Sequence, residues 1–140
     1  MKELKAVIDT NVLVSILKGS CGLSSIYTAF KTGRFKLIIN DQALRELAAV
    51  LYRPHLRINP TDIRELFRLI KLKAIRVKSG PLSVTACRDP KDNFILQLAA
   101  ETEANFIVTG DKDLLVLKSF TGISIITPRQ FVNLLNKEGE

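Results

Sequence analysis

The chain has 140 residues, 46% hydrophobic and 25% charged, which suits one globular domain over 1–140 with a single core. No apolar run approaches the roughly 18–20 residues that cross a bilayer. Glu3, Asp9 and Asn11 also interrupt the N-terminus where a signal peptide is uniformly apolar, so the sequence predicts a soluble, unexported, cytoplasmic protein without a membrane partner. The net charge of +7, from 21 Lys and Arg against 14 Asp and Glu, directs attention to a polyanionic partner, nucleic acid first. Cys21 and Cys87 lack zinc-ligand spacing and read as free thiols in a reducing compartment.

The run Lys5-Ala6-Val7-Ile8 reads as a buried strand stopped by Asp9-Thr10-Asn11. A short helix over 12–17, a break at Gly19–Gly22, a helix over 24–31 and a second buried strand over 36–39 follow. Asn40 or Asp41 caps a helix over 42–52, in which Ala43, Leu44, Leu47, Ala48 and Leu51 recur at helical spacing and which Pro54 ends. Asn59-Pro60 opens the next helix, with Ile63, Leu66, Phe67 and Ile70 on one face and Arg64, Arg68 and Lys71 on another. A short strand over 74–77 leads to a loop over 78–88. Asp89-Pro90 then starts a helix whose apolar stripe is Phe94, Ile95, Leu98 and Ala99. A strand over 105–109, a short helix through 117, a last strand over 122–126 and a last helix over 128–136 complete the chain.

Buried strands alternating with helices predict an α/β fold, a mostly parallel sheet covered on both faces, because parallel strands need crossover connections. In such sheets ligands bind beyond the carboxyl ends of the strands. Asp9 follows the first strand directly, and Asp111 follows the strand over 105–109 after one glycine, so both emerge at that edge. Glu46 and Asp92 come from helices, each bordering its helix's apolar arc. All four have structural readings as well: Asp92 with Asp89 as a capping arrangement, Asp111 as a cap, Asp9 as a turn residue and Glu46 as a solvated helix residue. Brought together, four carboxylates repel unless some protonate or a divalent ion neutralises them. Mg²⁺ and Mn²⁺ suit an all-oxygen donor set, and such an ion activates water for phosphodiester hydrolysis. The chain has one histidine, His55, and neither an HExxH pair nor a GxxxxGK[ST] loop.

Four ordered segments, VIDTNVLVS at 7–15, LRELAAVL around Glu46, DPKDNFILQLAAE at 89–101 and FIVTGDKDLL at 106–115, together resemble the PIN-domain family. They are most similar to its ribonuclease toxins of prokaryotic toxin–antitoxin pairs, and the resemblance runs from about residue 4 to 135. It implies a three-layer α/β/α sandwich, an Mg²⁺ or Mn²⁺ cofactor, endonucleolytic hydrolysis of single-stranded RNA, a homodimer, and a cognate antitoxin that blocks the site. By the same resemblance Asp9, Glu46, Asp92 and Asp111 are the metal-binding and catalytic acids, with Asn11 and Thr109 in support. Asp89 and Asp113 are ambiguous neighbours; Asp111 is preferred to Asp113 because it lies nearer the strand end. Lys18, Arg53, Arg88, Lys91 and Lys112 are the candidate phosphate contacts.

Two rivals from the phosphate-handling α/β enzymes fit poorly. A haloacid-dehalogenase-like phosphatase wants an Asp where this chain has Asn11, and a response-regulator receiver wants a phosphoacceptor Asp ending a middle strand. The alternatives that remain are a non-catalytic RNA-binding or protein-interaction module of the same fold, and an RNA-maturation nuclease outside any toxin–antitoxin pair.

Overall fold

A computed structural model describes residues 3–20 and 22–138. Its strands are β1 (Lys5–Ile8), β2 (Lys36–Asn40), β3 (Ile75–Val77), β4 (Phe106–Val108), β5 (Ser119–Phe120) and β6 (Ile123–Ile126). Its α-helices are α1 (Thr10–Leu17), α2 (Ser24–Lys31), α3 (Asp41–Leu51), α4 (Pro60–Lys73), α5 (Pro90–Glu101), α6 (Lys112–Leu115) and α7 (Pro128–Glu138). The six strands form one sheet in the order β3-β2-β1-β4-β6-β5, parallel except for the final β5–β6 pair. Among the described residues no helix is long and apolar enough to cross a membrane. Cys87 is a free thiol, and Cys21 lies outside the described residues.

Alternation along the central strands divides the core into two layers. Ala6, Ile8, Leu37, Ile39 and Val108 face a cluster completed by α1, α2, α3, α4 and α7, with Phe35, Leu47, Ile63 and Phe131 almost wholly buried. Val7, Ile38 and Ile107 face the other side, where Leu96, Leu98 and Ala99 of α5 and Leu114 of α6 cover them. Both faces of these strands are therefore apolar, as parallel sheets require, and the arrangement agrees with the expected helix–sheet–helix sandwich.

The helix starts are written in polar residues. Asn40 caps α3 by accepting from the Ala43 amide at 2.8 Å. Asn59 caps α4 and Asp89 caps α5, each ahead of a proline in the first turn, where the missing N–H costs nothing. Asp9 caps α1, so that helix begins at Thr10 rather than at Val12. Beyond α3, Pro54 opens a single 3-10 turn, Pro54–Leu56, which contains His55.

Two expectations need correction. A hairpin precedes the last strand: β5 and β6 are joined by Thr121 and Gly122, both at positive φ (46° and 84°), the geometry of a tight primed turn. The stripe expected on α5 is also displaced. Leu96, Leu98 and Ala99 are buried, but so are the polar Asp92, Asn93 and Gln97, whereas Phe94 is half-exposed.

Candidate metal and nucleic-acid site

In the ladder between β1 and β4, Ile8 lies beside Val108, and the Asp9 amide continues it with a 2.9 Å bond to the Val108 carbonyl. Asp9 and Thr109 therefore leave the sheet side by side at its carboxyl edge. Since β1 connects onward to β2 on one side and pairs with β4 on the other, this is the switch point at which open α/β sheets bind ligands.

Thr109, fully buried, joins the two strand-end acids. Its hydroxyl donates to Asp9 Oδ2 at 2.9 Å and accepts from the Asp111 amide at 3.0 Å. The other Asp9 oxygen accepts from the Asn11 amide at 3.2 Å. Asn11 thus supports Asp9 through its backbone, while its side chain faces solvent beside a hollow that Asp9 and Asp111 also line. Asp111 in turn caps α6, accepting from the Asp113 amide at 2.9 Å.

The tightest acidic group is Asp92, Asp111 and Asp113, with one carboxylate oxygen of each within 4.8 Å of the others. Asp111 and Asp113, alternatives on sequence grounds, both contribute to it. Asp92 is 3% exposed, and its carboxyl is pushed up to about 6. Burial is the largest cause, followed by the charge of Asp111 and a hydrogen bond with it, and then by Asp89 and Asp9. An all-oxygen set in which one acid's pKa is raised by burial and by the charges of its neighbours fits a hard divalent cation, which would relieve that repulsion.

Asp9 and Glu46 line an adjoining cleft between α3 and α5, together with Asn40, Gln42, Lys91 and Phe94. Glu46 is ion-paired with Lys91, and this hydrogen bond is the main reason the Lys91 ammonium holds its proton more firmly than usual. Of the other cations expected at the site, Arg88 is exposed beside Asp89, and Lys112 is exposed between Asp111 and Asp113. Lys18 sits at the far end of α1, about 13–14 Å along the helix from Asp9. Arg53 lies beyond the far end of α3.

Sequence reasoning missed two buried polar residues, Asn93 and Gln97, and a second role for the helix cap Asn40. Asn93 grips the Cys87 backbone, accepting from its amide and donating to its carbonyl, both at 2.8 Å. Gln97 accepts from the amides of Ser83 and Val84 and donates to the Pro81 carbonyl. Asn40 donates to Ser79 Oγ at 3.0 Å. These amides fasten the irregular segment over 78–89 to α5 and to the end of β2. The available signal was a helix with polar residues at 92, 93 and 97 followed by no regular partner for the preceding loop. The Cys87 thiol is held protonated, mainly by burial and then by Asp92, Asp113, Asp111 and Asp89, so it offers no thiolate nucleophile.

Two solved structures share this architecture. PAE2754 from Pyrobaculum aerophilum superposes with a TM-score of 0.67 at 16% identity, covering 96% of this chain and 90% of that one. The PIN domain endonuclease Utp24 superposes with a TM-score of 0.53 at 18% identity, covering 88% and 84% respectively. Comparison with curated protein sequences finds no match. The family model described as PIN domain matches residues 5–113, from the first residue of β1 to the last acid of the cluster. The chain therefore belongs to the PIN domain family, whose members are generally nucleases.

Proposed function

We propose that the protein is a cytoplasmic Mg²⁺- or Mn²⁺-dependent endoribonuclease that hydrolyses single-stranded RNA at the carboxyl edge of the sheet, using the cluster of Asp92, Asp111 and Asp113 with Asp9 and, from the adjoining cleft, Glu46. The observation that carries this reading is the convergence of Asp92, Asp111 and Asp113 beside the Thr109-anchored Asp9, at the carboxyl edge of a PIN-domain sheet. Asp92, Asp111 and Asp113 would hold a cation, with Asp9 bordering the set. When bound, such an ion supplies an activated water and neutralises charge on the phosphoryl oxygens.

The chain's own residues do the positioning. Thr109 and the Asn11 amide fix both oxygens of Asp9, so its charge is presented without rotamer freedom. Lys91 stands at the cleft with its ammonium on Glu46. A phosphate entering there meets a cation already in place, and Glu46 restrains Lys91 from turning inward onto Asp9. Buried Asp92 takes up a proton as pH falls through about 6, and a cation that balanced the cluster's charge would compete with that proton.

The test is cleavage of an end-labelled single-stranded RNA with Mn²⁺ or Mg²⁺, run beside EDTA and an Asp9→Asn variant. Cutting that requires both metal and Asp9 supports the nuclease. Folded protein that binds metal yet leaves a varied RNA panel intact makes the non-catalytic module the better reading.

A role as the toxin of a toxin–antitoxin pair, with a homodimer and an antitoxin partner, rests on the motif resemblance. It requires that induced expression arrest growth and that Asp9→Asn abolish the arrest; growth unaffected by active enzyme favours RNA maturation or turnover.

A further inference from the structure

The cleft beside Asp9 and Glu46 continues past the first turn of α3. Asn40, Gln42 and Phe94 line it, and the same three residues line a second hollow of about 230 Å³. Arg45 and Lys78 stand on the walls of that hollow. Both are exposed, and neither makes an ion pair or side-chain hydrogen bond among the described residues. Asp41, the acid on the same wall, is paired with Arg76 at 3.3 Å. The hollow thus keeps two free cations and no free anion.

Phe94 sits between the two spaces. It follows Asp92 by two residues on α5, is half-exposed, and belongs to neither hydrophobic cluster. A phenylalanine that stays outside both cores and lines a polar hollow with part of its surface open to solvent is available to a ligand. An aromatic face flanked by unpaired cations is the combination that binds single strands, with bases stacking on the ring and phosphates meeting the charges. In a continuous duplex both faces of each base are already covered, so the ring selects unpaired nucleotides.

We propose that Phe94, Arg45 and Lys78 form a subsite for single-stranded RNA, in which one unpaired base stacks on Phe94 and the adjoining phosphate lies between Arg45 and Lys78. The substrate strand then runs from the carboxylates over Phe94 and past the start of α3. This inference rests on the nuclease reading for its choice of RNA, and it assigns the phosphate contact to cations other than Lys18 and Arg53.

The experiment is fluorescence anisotropy of a labelled twelve-nucleotide RNA in EDTA, followed by cleavage of the same strand in Mn²⁺. Phe94→Leu, which keeps an apolar side chain without the ring, should weaken binding by about tenfold, and Phe94→Tyr should restore it. Arg45→Ala/Lys78→Ala should weaken binding and flatten the dependence of log Kd on log salt by about 0.7, for the one phosphate they neutralise. Arg64→Ala/Arg68→Ala, at exposed positions of α4 that line neither space, should change neither, and a duplex of the same sequence should bind more weakly than the single strand.

Equal binding by wild type, Phe94→Leu and the Arg45/Lys78 variant overturns the subsite, as does a wild type that binds no RNA. If those variants also cut as wild type does, the nuclease reading stands without it. Should binding respond as expected while no variant or wild type cuts, the subsite stands and the nuclease reading falls.

Discussion

Thr109 donates its hydroxyl hydrogen to Asp9 Oδ2 at 2.9 Å, across one hundred residues of sequence and one step of the sheet. The Thr109 hydroxyl oxygen in turn accepts from the Asp111 amide, so one buried side chain orients an acid beyond the end of each of two strands. Thr109→Val keeps the shape and removes both bonds. It should destabilise the fold by about 1–3 kcal/mol and weaken Mn²⁺ binding, whereas Thr109→Ser should recover metal affinity. Isothermal titration beside urea melts separates the two effects; unchanged Mn²⁺ affinity in Thr109→Val would remove Thr109 from the site's support.

Asp92 links stability to pH in the metal-free protein. Its folded pKa of about 6 lies above the ordinary 3.8, so between those values the folded state binds more protons than the unfolded one. Stability from this group is greatest below about pH 4 and is lost as pH rises through about 6. Urea melts in EDTA should therefore show wild type losing stability relative to Asp92→Asn from pH 4.5 to 7. Adding Mn²⁺ at pH 6 should release protons in wild type and fewer in the variant. Parallel pH profiles for the two proteins would contradict this account.

The Glu46–Lys91 pair is partly solvated, with side-chain exposures of 31% and 43%, and pairs in that setting contribute about 0–1 kcal/mol. Lys91→Met should shift the unfolding free energy by no more than that. Its effect belongs to the substrate: loss of a cation at the cleft should raise KM for RNA by about tenfold with a smaller change in kcat. Steady-state kinetics at fixed Mn²⁺ provide the check, and an unchanged KM would leave Lys91 as a partner of Glu46 alone.

Asn93 holds the loop that delivers Asp89. Asn93→Leu leaves the Cys87 amide and carbonyl without their partner, at a cost of about 1–3 kcal/mol. Amide exchange at Cys87 should accelerate at least tenfold while exchange in β1 and β4 stays slow. Uniform acceleration throughout the chain would instead mean that the whole fold has loosened.

Most of this architecture is legible in the sequence because burial on both faces writes β1, β2 and β4 as uninterrupted apolar runs, and because Asn40, Asn59 and Asp89 mark helix starts. The β5–β6 hairpin escapes because a two-residue strand carries no periodicity and its turn uses Thr121 where Asn is the usual signal. The α5 stripe misleads for a different reason. Asp92, Asn93 and Gln97 are buried to serve the cluster and an irregular loop, so polarity there no longer marks the solvent side. Asp9 and Asp111 are legible as strand-end acids; the choice between Asp111 and Asp113 is not, since it depends on a four-residue helix that brings both beside Asp92.

The two core layers give the acidic site a mechanical meaning. Glu46 projects from a helix on one side of the sheet, while Asp92, Asp111 and Asp113 come from the end of β4 and the helices on the other. The site is thus a seam, closed by the Glu46–Lys91 pair across the top of the sheet. An RNA strand bound across this seam would join the layers as a staple would, so its binding energy would act on global unfolding rather than on one loop. Peeling either layer away dismantles the seam, and occupancy and foldedness rise and fall together.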